Sequence, residues 1–359
     1  MELKFTDEIL QLDKQNMIGV LEEFPQQMEK AGQIGKECDI FRDTSKIEKI
    51  LILGMGGSAI GGDLLRSYLA NIDGASHLQI IVNRDYDIPG FIDENTYVIG
   101  SSYSGNTEET LSAFRKAEEK TKHLMALTSG GRLEEFCKSQ NIPVAHMPPG
   151  YQPRAALGYS FIILLQIILR SGAVSSKAKS DIEKSLNDAV ALVKENEARY
   201  KEFSDENPAL KLASELHGKI PVIYSSSDVL DIVNLRWRGQ FQENSKNMAF
   251  GSLLPEMNHN EINGWLLPED ALDKFRVILL TDPQDHERNK LRFKALRNIL
   301  ERKGLEVSEF SGEGNNLLTR IFGLIYLSDW ASVYLGLMNG QDPTDIPVIT
   351  ELKEELSGK

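Results

Sequence analysis

Ile50-Leu51-Ile52-Leu53-Gly54-Met55-Gly56-Gly57-Ser58 reads as a buried strand running straight into a glycine turn. A second stretch repeats the plan: Tyr97-Val98-Ile99-Gly100 leads into Ser102-Tyr103-Ser104-Gly105-Asn106-Thr107. Short aliphatic runs of this kind fit strands covered on both faces. A turn that opens a helix leaves the first N–H groups without intrahelical partners, at the positive end of the helix. That is a ready anion site. The second turn adds the hydroxyls of Ser102, Ser104 and Thr107, which can donate to one tetrahedral oxyanion. The ligand expected is a phosphate ester.

Outward from these turns, further strands are expected at residues 78–82, 123–127 and 142–145, with helical patterns between most of them. The class expected is α/β, a parallel sheet covered by helices, with ligands at the carboxyl ends of the strands. An amphipathic helix is expected over residues 9–36, and residues 175–211 read as a charged helical bridge with Ile182, Leu186, Ala189, Leu192 and Val193 on one stripe. A weaker second copy follows. Ile220-Pro221-Val222-Ile223-Tyr224 leads into Ser225-Ser226-Ser227-Asp228, residues 275–280 end in Thr281-Asp282-Pro283, and residues 305–310 end in Ser311-Gly312. A duplicated architecture is therefore expected, with domains over residues 1–172 and 173–359.

The bulk numbers exclude several classes. A chain of 359 residues suits two domains, and 41% hydrophobic with 26% charged residues is not the composition of a disordered chain. A net charge of −13 argues against a broad nucleic-acid footprint, so an anionic substrate must be drawn by a local pocket. Cys38 and Cys137 share no metal or disulfide spacing, which fits a reducing cytoplasm. The start at Met1 carries no signal-peptide pattern, and the most apolar run, residues 161–169, is too short to cross a bilayer, so no membrane partner is expected.

Each candidate has a plainer reading. Gly54-x-Gly56-x-x-Ala59 approaches a dinucleotide fingerprint, yet Asp73 sits in a turn and a dinucleotide fold has no use for a second hydroxyl cradle. Thr107 before Glu108-Glu109 also suits a helix N-cap. Arg154 alone would be a surface ion pair, Glu243 a helix carboxylate paired with Arg236 or Arg238, His259 a structural histidine and Lys353 a surface charge. His77, His123, His146, His217 and His286 form no spaced ligand set, so no metal site is expected.

Taken in order, Gly54–Ser58, residues 102–107, Pro153-Arg154, Glu243-Asn244, Asn258-His259-Asn260-Glu261 and Asp342-Pro343 with Lys353 resemble the bifunctional phosphoglucose/phosphomannose isomerase family. The resemblance runs from about residue 47 to the C-terminus. It implies two sugar-isomerase (SIS) domains, each a flavodoxin-like three-layer arrangement with a parallel sheet flanked by helices. It also implies interconversion of glucose 6-phosphate, fructose 6-phosphate and mannose 6-phosphate through a cis-enediolate, with no cofactor. By that resemblance Glu243 shuttles the proton, His259 opens the ring, Arg154 faces the enediolate and Lys353 helps bind and open the sugar. Gly57, Ser58, Ser102, Ser104 and Thr107 would hold the phosphate. Relatives lend the histidine from a neighbouring subunit, which implies a homodimer with shared sites. The rivals are another SIS-domain sugar-phosphate isomerase and a non-catalytic sugar-phosphate sensor, which would need neither Glu243 nor His259.

Overall fold

The computed structural model describes residues 7–40, 49–227 and 229–358. The N-terminal stretch lacking a signal pattern, and Asp228 of the second serine turn, lie outside them. Three helices come first: α1 (Asp7–Leu10), α2 (Met17–Glu22) and α3 (Phe24–Glu37). The single helix expected over residues 9–36 is thus broken. Asn16 takes a left-handed φ of 55°, and the Asp13 carboxylate accepts from the N–H groups of Met17 at 2.6 Å and Ile18 at 2.8 Å. Both features stop one helix and start another.

The first sheet is built from β1 (Lys49–Leu53), α4 (Gly56–Ala70), β2 (Gln79–Asn83), β3 (Thr96–Ser102), α5 (Glu108–Glu118), β4 (Leu124–Thr128), α6 (Gly131–Gln140) and β5 (Val144–His146), followed by α7 (Leu157–Ser171). Its strands are parallel in the flavodoxin-like order β2-β1-β3-β4-β5. Residues on alternate positions face opposite ways. Leu51, Leu53 and Val98 pack with Leu111, Phe114, Leu133 and Cys137 of α5 and α6. On the other face α3 and α4 pack against α7, which is buried almost along its whole length.

The second sheet follows α8 (Ser176–Tyr200) and α9 (Pro208–Leu216), and consists of β6 (Ile220–Ser226), α10 (Asp231–Ser245), β7 (Phe250–Leu254), β8 (Phe275–Thr281), α11 (Glu287–Arg302) and β9 (Glu306–Ser311). The chain ends in α12 (Leu317–Met338) and α13 (Pro347–Ser357). The order β7-β6-β8-β9 reproduces β2-β1-β3-β4 without a fifth strand, so the duplication read from the sequence is present in the topology. Strand β7 went unread: Phe250-Gly251-Ser252-Leu253-Leu254 mixes polar and apolar residues, as an edge strand does.

Two compact units result, and they do not divide at 172/173. One holds residues 23–192 with 316–319; the other holds residues up to 22, 193–315 and from 320 onward. The division falls inside α8 because one long amphipathic helix serves both cores. In the first unit its residues Asp181 and Ser185 lie beside the buried Tyr68 phenol, which burial pushes up to about 12. In the second, Tyr200 stacks at 5.8 Å on Tyr326 of α12 and its carbonyl accepts from Tyr334 Oη at 2.5 Å. Helix α12 is the one described helix long and apolar enough to cross a membrane by length and composition, and it is wholly buried. Its only charges, Arg320 and Asp329, are both paired inside the protein.

Arg320 donates to Asp282 from Nε at 2.7 Å and from Nη2 at 3.1 Å, with both side chains almost fully buried. Removing one partner leaves the other charge buried alone, at a cost of about 3–5 kcal/mol. Asp282→Ala is therefore expected to lower the chemical-denaturation midpoint by that equivalent, and adding Arg320→Leu should recover much of it. An unchanged midpoint in the single variant would contradict the pairing.

Candidate functional site

β1 and β3 are neighbours, with Leu53 opposite Gly100, so the turns that leave them begin side by side. Helix α4 starts after Met55 and α5 after Thr107, and neither start has a side-chain cap. Thr107 is thus placed as a cap residue without acting as one; its hydroxyl bonds to Ser102 Oγ at 2.9 Å. Two helix starts, of 15 and 11 residues, leave backbone N–H groups available at adjacent strand ends.

The hydroxyls divide by depth. Ser58 Oγ is buried and accepts from Tyr103 N at 3.0 Å, which leaves its own proton to donate. Ser102 has no exposed surface and reaches the cradle only through Thr107, so it forms the floor of the loop. Ser104 stands at the surface, its Oγ accepting from Asn106 N at 3.2 Å. Gly105 has φ of +66°, and a Cβ there would fall 1.8 Å from the Gly130 carbonyl oxygen, so only glycine lets this loop close.

Arg154 is buried in the 3₁₀ turn Pro153–Ala155. That turn presses on the glycine loop: a Cβ on Gly57 would lie 2.6 Å from the Pro153 carbonyl carbon and 2.7 Å from Arg154 N. Its position is held from two other sides. Gln27 Nε2 donates to Ala155 O at 3.0 Å, and Tyr103 Oη donates to Pro148 O at 2.7 Å while accepting from Tyr151 N at 2.9 Å. Burial pushes the Tyr103 phenol up, so it stays a donor. The first unit therefore brings Gly57, Ser58, Ser102, Ser104, Thr107 and Arg154 to one end of its sheet.

The second unit repeats the two turns, and the one after β8 is filled from within. Ser226 Oγ donates to Asp285 Oδ1, and Asp285 Oδ2 accepts from Asp282 N at 2.8 Å. Helix α11 is capped by His286 Nδ1, which accepts from Arg288 N at 3.1 Å. In the turn after β8 a carboxylate and a cap take N–H groups that the turn after β3 leaves open, while α10, like α4, starts without a side-chain cap.

Glu243, His259 and Lys353 lie in this second unit on three separate elements. Glu243 is in the last turn of α10. One face of that helix is clamped to α12: Arg236 Nη2 and Gln240 Nε2 donate to Asp329 at 2.7 and 2.8 Å, and Asn244 Nδ2 donates to Ser332 Oγ at 2.9 Å. Arg236 thus has Asp329 for its ion pair, a partner the sequence did not suggest. The residue before Asn244 inherits this rigidity. His259 ends the 3₁₀ turn Glu256–His259 and is exposed; Lys353 is exposed on α13. Among the described residues, no three His, Cys, Asp or Glu side chains converge as metal ligands would.

Comparison with known proteins bears on this arrangement. Residues 205–356 match the model of the Bacterial phospho-glucose isomerase C-terminal SIS domain. A bifunctional phosphoglucose/phosphomannose isomerase of Caldicellulosiruptor bescii is 40% identical over 335 residues, covering 93% of this chain and 96% of its own length. The Aquifex aeolicus protein of the same name is 37% identical over 318 residues, covering 89% of this chain and 93% of its own. The chain belongs to the bifunctional phosphoglucose/phosphomannose isomerase family. A D-glucosamine-6-phosphate 4-epimerase of Sulfolobus acidocaldarius is also similar, 32% identical over 245 residues, covering 65% of this chain and 72% of its own. Among solved structures, a glucose-6-phosphate isomerase like protein from Thermus thermophilus aligns with TM-score 0.63 at 18% identity, covering 96% of this chain and 98% of that one. At that identity it shows the fold alone.

Within this family's two-SIS plan, the residues that sequence reasoning missed are supports. Tyr103 donates from its N–H to Ser58 Oγ, Gln27 holds Ala155 beside Arg154, and Asp329 holds Gln240 on the helix that carries Glu243. Only Asp329 left a signal: a carboxylate in an otherwise apolar helix must have a buried partner. Gly57→Ala is expected to force the Pro153-Arg154 turn off the loop. Overpacking costs about 1–3 kcal/mol, so affinity for a hexose 6-phosphate by calorimetry should fall roughly 5- to 150-fold with the melting curve still cooperative. Unchanged affinity would remove this loop from the site.

Proposed function

We propose that this protein interconverts glucose 6-phosphate and fructose 6-phosphate, and mannose 6-phosphate and fructose 6-phosphate, by proton transfer through a cis-enediolate without a metal. The observation that carries the reading is the pair of uncapped helix starts at adjacent strand ends with the buried Arg154 packed on the glycine loop. They suit the phosphate end of a sugar, while family membership supplies the reaction class. In this reading Gly57, Ser58, Ser104 and Thr107 take the phosphate, with Ser102 beneath them.

The chemistry at the other end needs three things. A ring-closed sugar must open, which His259 assists by moving a proton between the ring oxygen and the C1 hydroxyl, with Lys353 binding beside it. The carbon-bound proton must move between C2 and C1, and the Glu243 carboxylate takes and returns it. The enediolate formed in between is negative, and Arg154 stabilises it where the charge develops. A planar enediolate erases the configuration at C2, so one intermediate serves both aldoses. Cytoplasmic location and a place in glycolysis or gluconeogenesis belong to the same proposal. A homodimer with shared sites completes it, the exposed His259 serving the partner subunit.

A second reading, epimerisation of an amino-sugar phosphate at C4, is favoured by the similarity to the Sulfolobus acidocaldarius enzyme. A coupled assay with chelator present decides between them. Turnover of fructose 6-phosphate to both aldoses, with none of glucosamine 6-phosphate, is the expected result; the reverse would overturn the assignment. Glu243→Gln should lose about 10²–10⁴-fold in kcat with KM little changed, and wild-type rates would reassign the proton shuttle.

Shared sites are tested by mixing. Glu243→Gln and His259→Asn preparations, each with only a small residual rate, should recover roughly a quarter of wild-type activity after subunit exchange, because half the dimers are mixed and each has one intact site. A mixture as inactive as its components would place His259 in its own subunit's site.

A further inference from the structure

His259 lies at the junction of two 3₁₀ turns, Glu256–His259 and Glu261–Leu266, and the way these turns are tied to the sheet is what distinguishes them from an ordinary surface loop. The Glu261 carboxylate accepts from Tyr224 Oη at 2.7 Å through Oε1 and from Ser252 Oγ through Oε2. Tyr224 is on β6 and Ser252 on the neighbouring β7, so one carboxylate grips two strands. Tyr224 Oη also accepts from Trp265 Nε1 at 3.0 Å, which brings the far end of the second turn onto the same phenol. Across His259, Asn260 Nδ2 donates to Glu256 Oε1 at 2.9 Å, and Asn260 Oδ1 accepts from Glu261 N at 2.6 Å.

The network is satisfied in one direction only. Burial, and after it the Glu261 charge, push the Tyr224 phenol up, so the hydroxyl remains a donor to the carboxylate. Burial pulls Arg238 on α10 down and the Glu261 charge acts against that, so the carboxylate also serves a half-buried cation whose Nε has no hydrogen-bond partner. A carboxylate that served only Arg238 would not need two hydroxyls from two strands.

We propose that Glu261 is the positioning residue for His259, fixing to β6 and β7 the turn from which the imidazole emerges. The proposal rests on the isomerase reading, in which His259 handles the ring-opening proton. A misplacement of about 1 Å costs as much as 10²-fold in rate, so a group that opens rings has to be held from the sheet. Glu261 itself touches no substrate in this account.

A double-mutant cycle separates positioning from general support. Glu261→Gln should lower kcat on glucose 6-phosphate roughly 10- to 100-fold while KM changes little. In a His259→Asn background the same substitution should cost no more than about twofold, since residues acting as one unit are non-additive. Tyr224→Phe should show a smaller loss that also vanishes in that background, and it carries the cycle should Glu261→Gln not fold. Losses that multiply in full, or an unchanged kcat, would overturn the proposal. Amide hydrogen exchange over residues 256–266 gives the readout independent of activity: it should accelerate in Glu261→Gln, and unaltered protection would refute the anchoring. An inactive wild type would instead sink the isomerase reading, with exchange still deciding the anchor.

Discussion

Two helices begin next to each other because the strands before them are hydrogen-bonded in parallel, and neither helix uses a side chain to cap its own first turn. Everything proposed for this protein depends on that open pair of helix starts. A chain of net charge −13 has no long-range field to attract an anionic sugar, so attraction has to be local. In the proposed site backbone N–H groups at two helix starts supply it without a surface lysine, and the buried Arg154 lies against the same loop. The surrounding fold serves this geometry. The glycine at 57 exists to let the Pro153-Arg154 turn approach, and Tyr103 ties the serine loop to the segment leading into that turn.

The second unit has the same topology with different side chains in the turn after β8. In the turn after β8, Asp285 accepts from Ser226 and from the Asp282 N–H, His286 caps α11, and Arg320 pairs with Asp282. In the proposed mechanism that unit contributes side chains instead: Glu243 from a helix end locked by Arg236, Gln240 and Asn244, and His259 from turns tied to the sheet through Glu261. On the proposed reading, duplication of one architecture yields two different jobs, backbone capture in one copy and side-chain presentation in the other.

Much of this was legible in the sequence. Aliphatic runs such as residues 50–53 and 275–280 fall inside observed strands because a buried parallel strand has nothing polar to confuse the pattern. The glycine and serine turns were legible because their backbone chemistry is local. The supports were not. Asp329 marks itself as a charge in an apolar stretch without naming its partner, since Arg236 lies 93 residues away, as Asp282 lies 38 from Arg320. The domain boundary was misplaced because α8 is amphipathic along its whole length and gives no sign of which core each half meets. The depth of Ser102 was not legible either: its residue type marks a hydroxyl, and only the fold shows that it has no exposed surface and bonds to Thr107.

The account stands or falls on where the phosphate goes. A crystal structure with an unreactive hexose 6-phosphate analogue measures it directly. The phosphate is expected at the joint start of α4 and α5, its oxygens within hydrogen-bond reach of about 3 Å from the N–H groups that open those helices and from Ser104 and Thr107. A phosphate found instead against the turns after β6 and β8, with Asp285 displaced from Ser226, would contradict the assignment of the two copies and the catalytic arrangement built upon it.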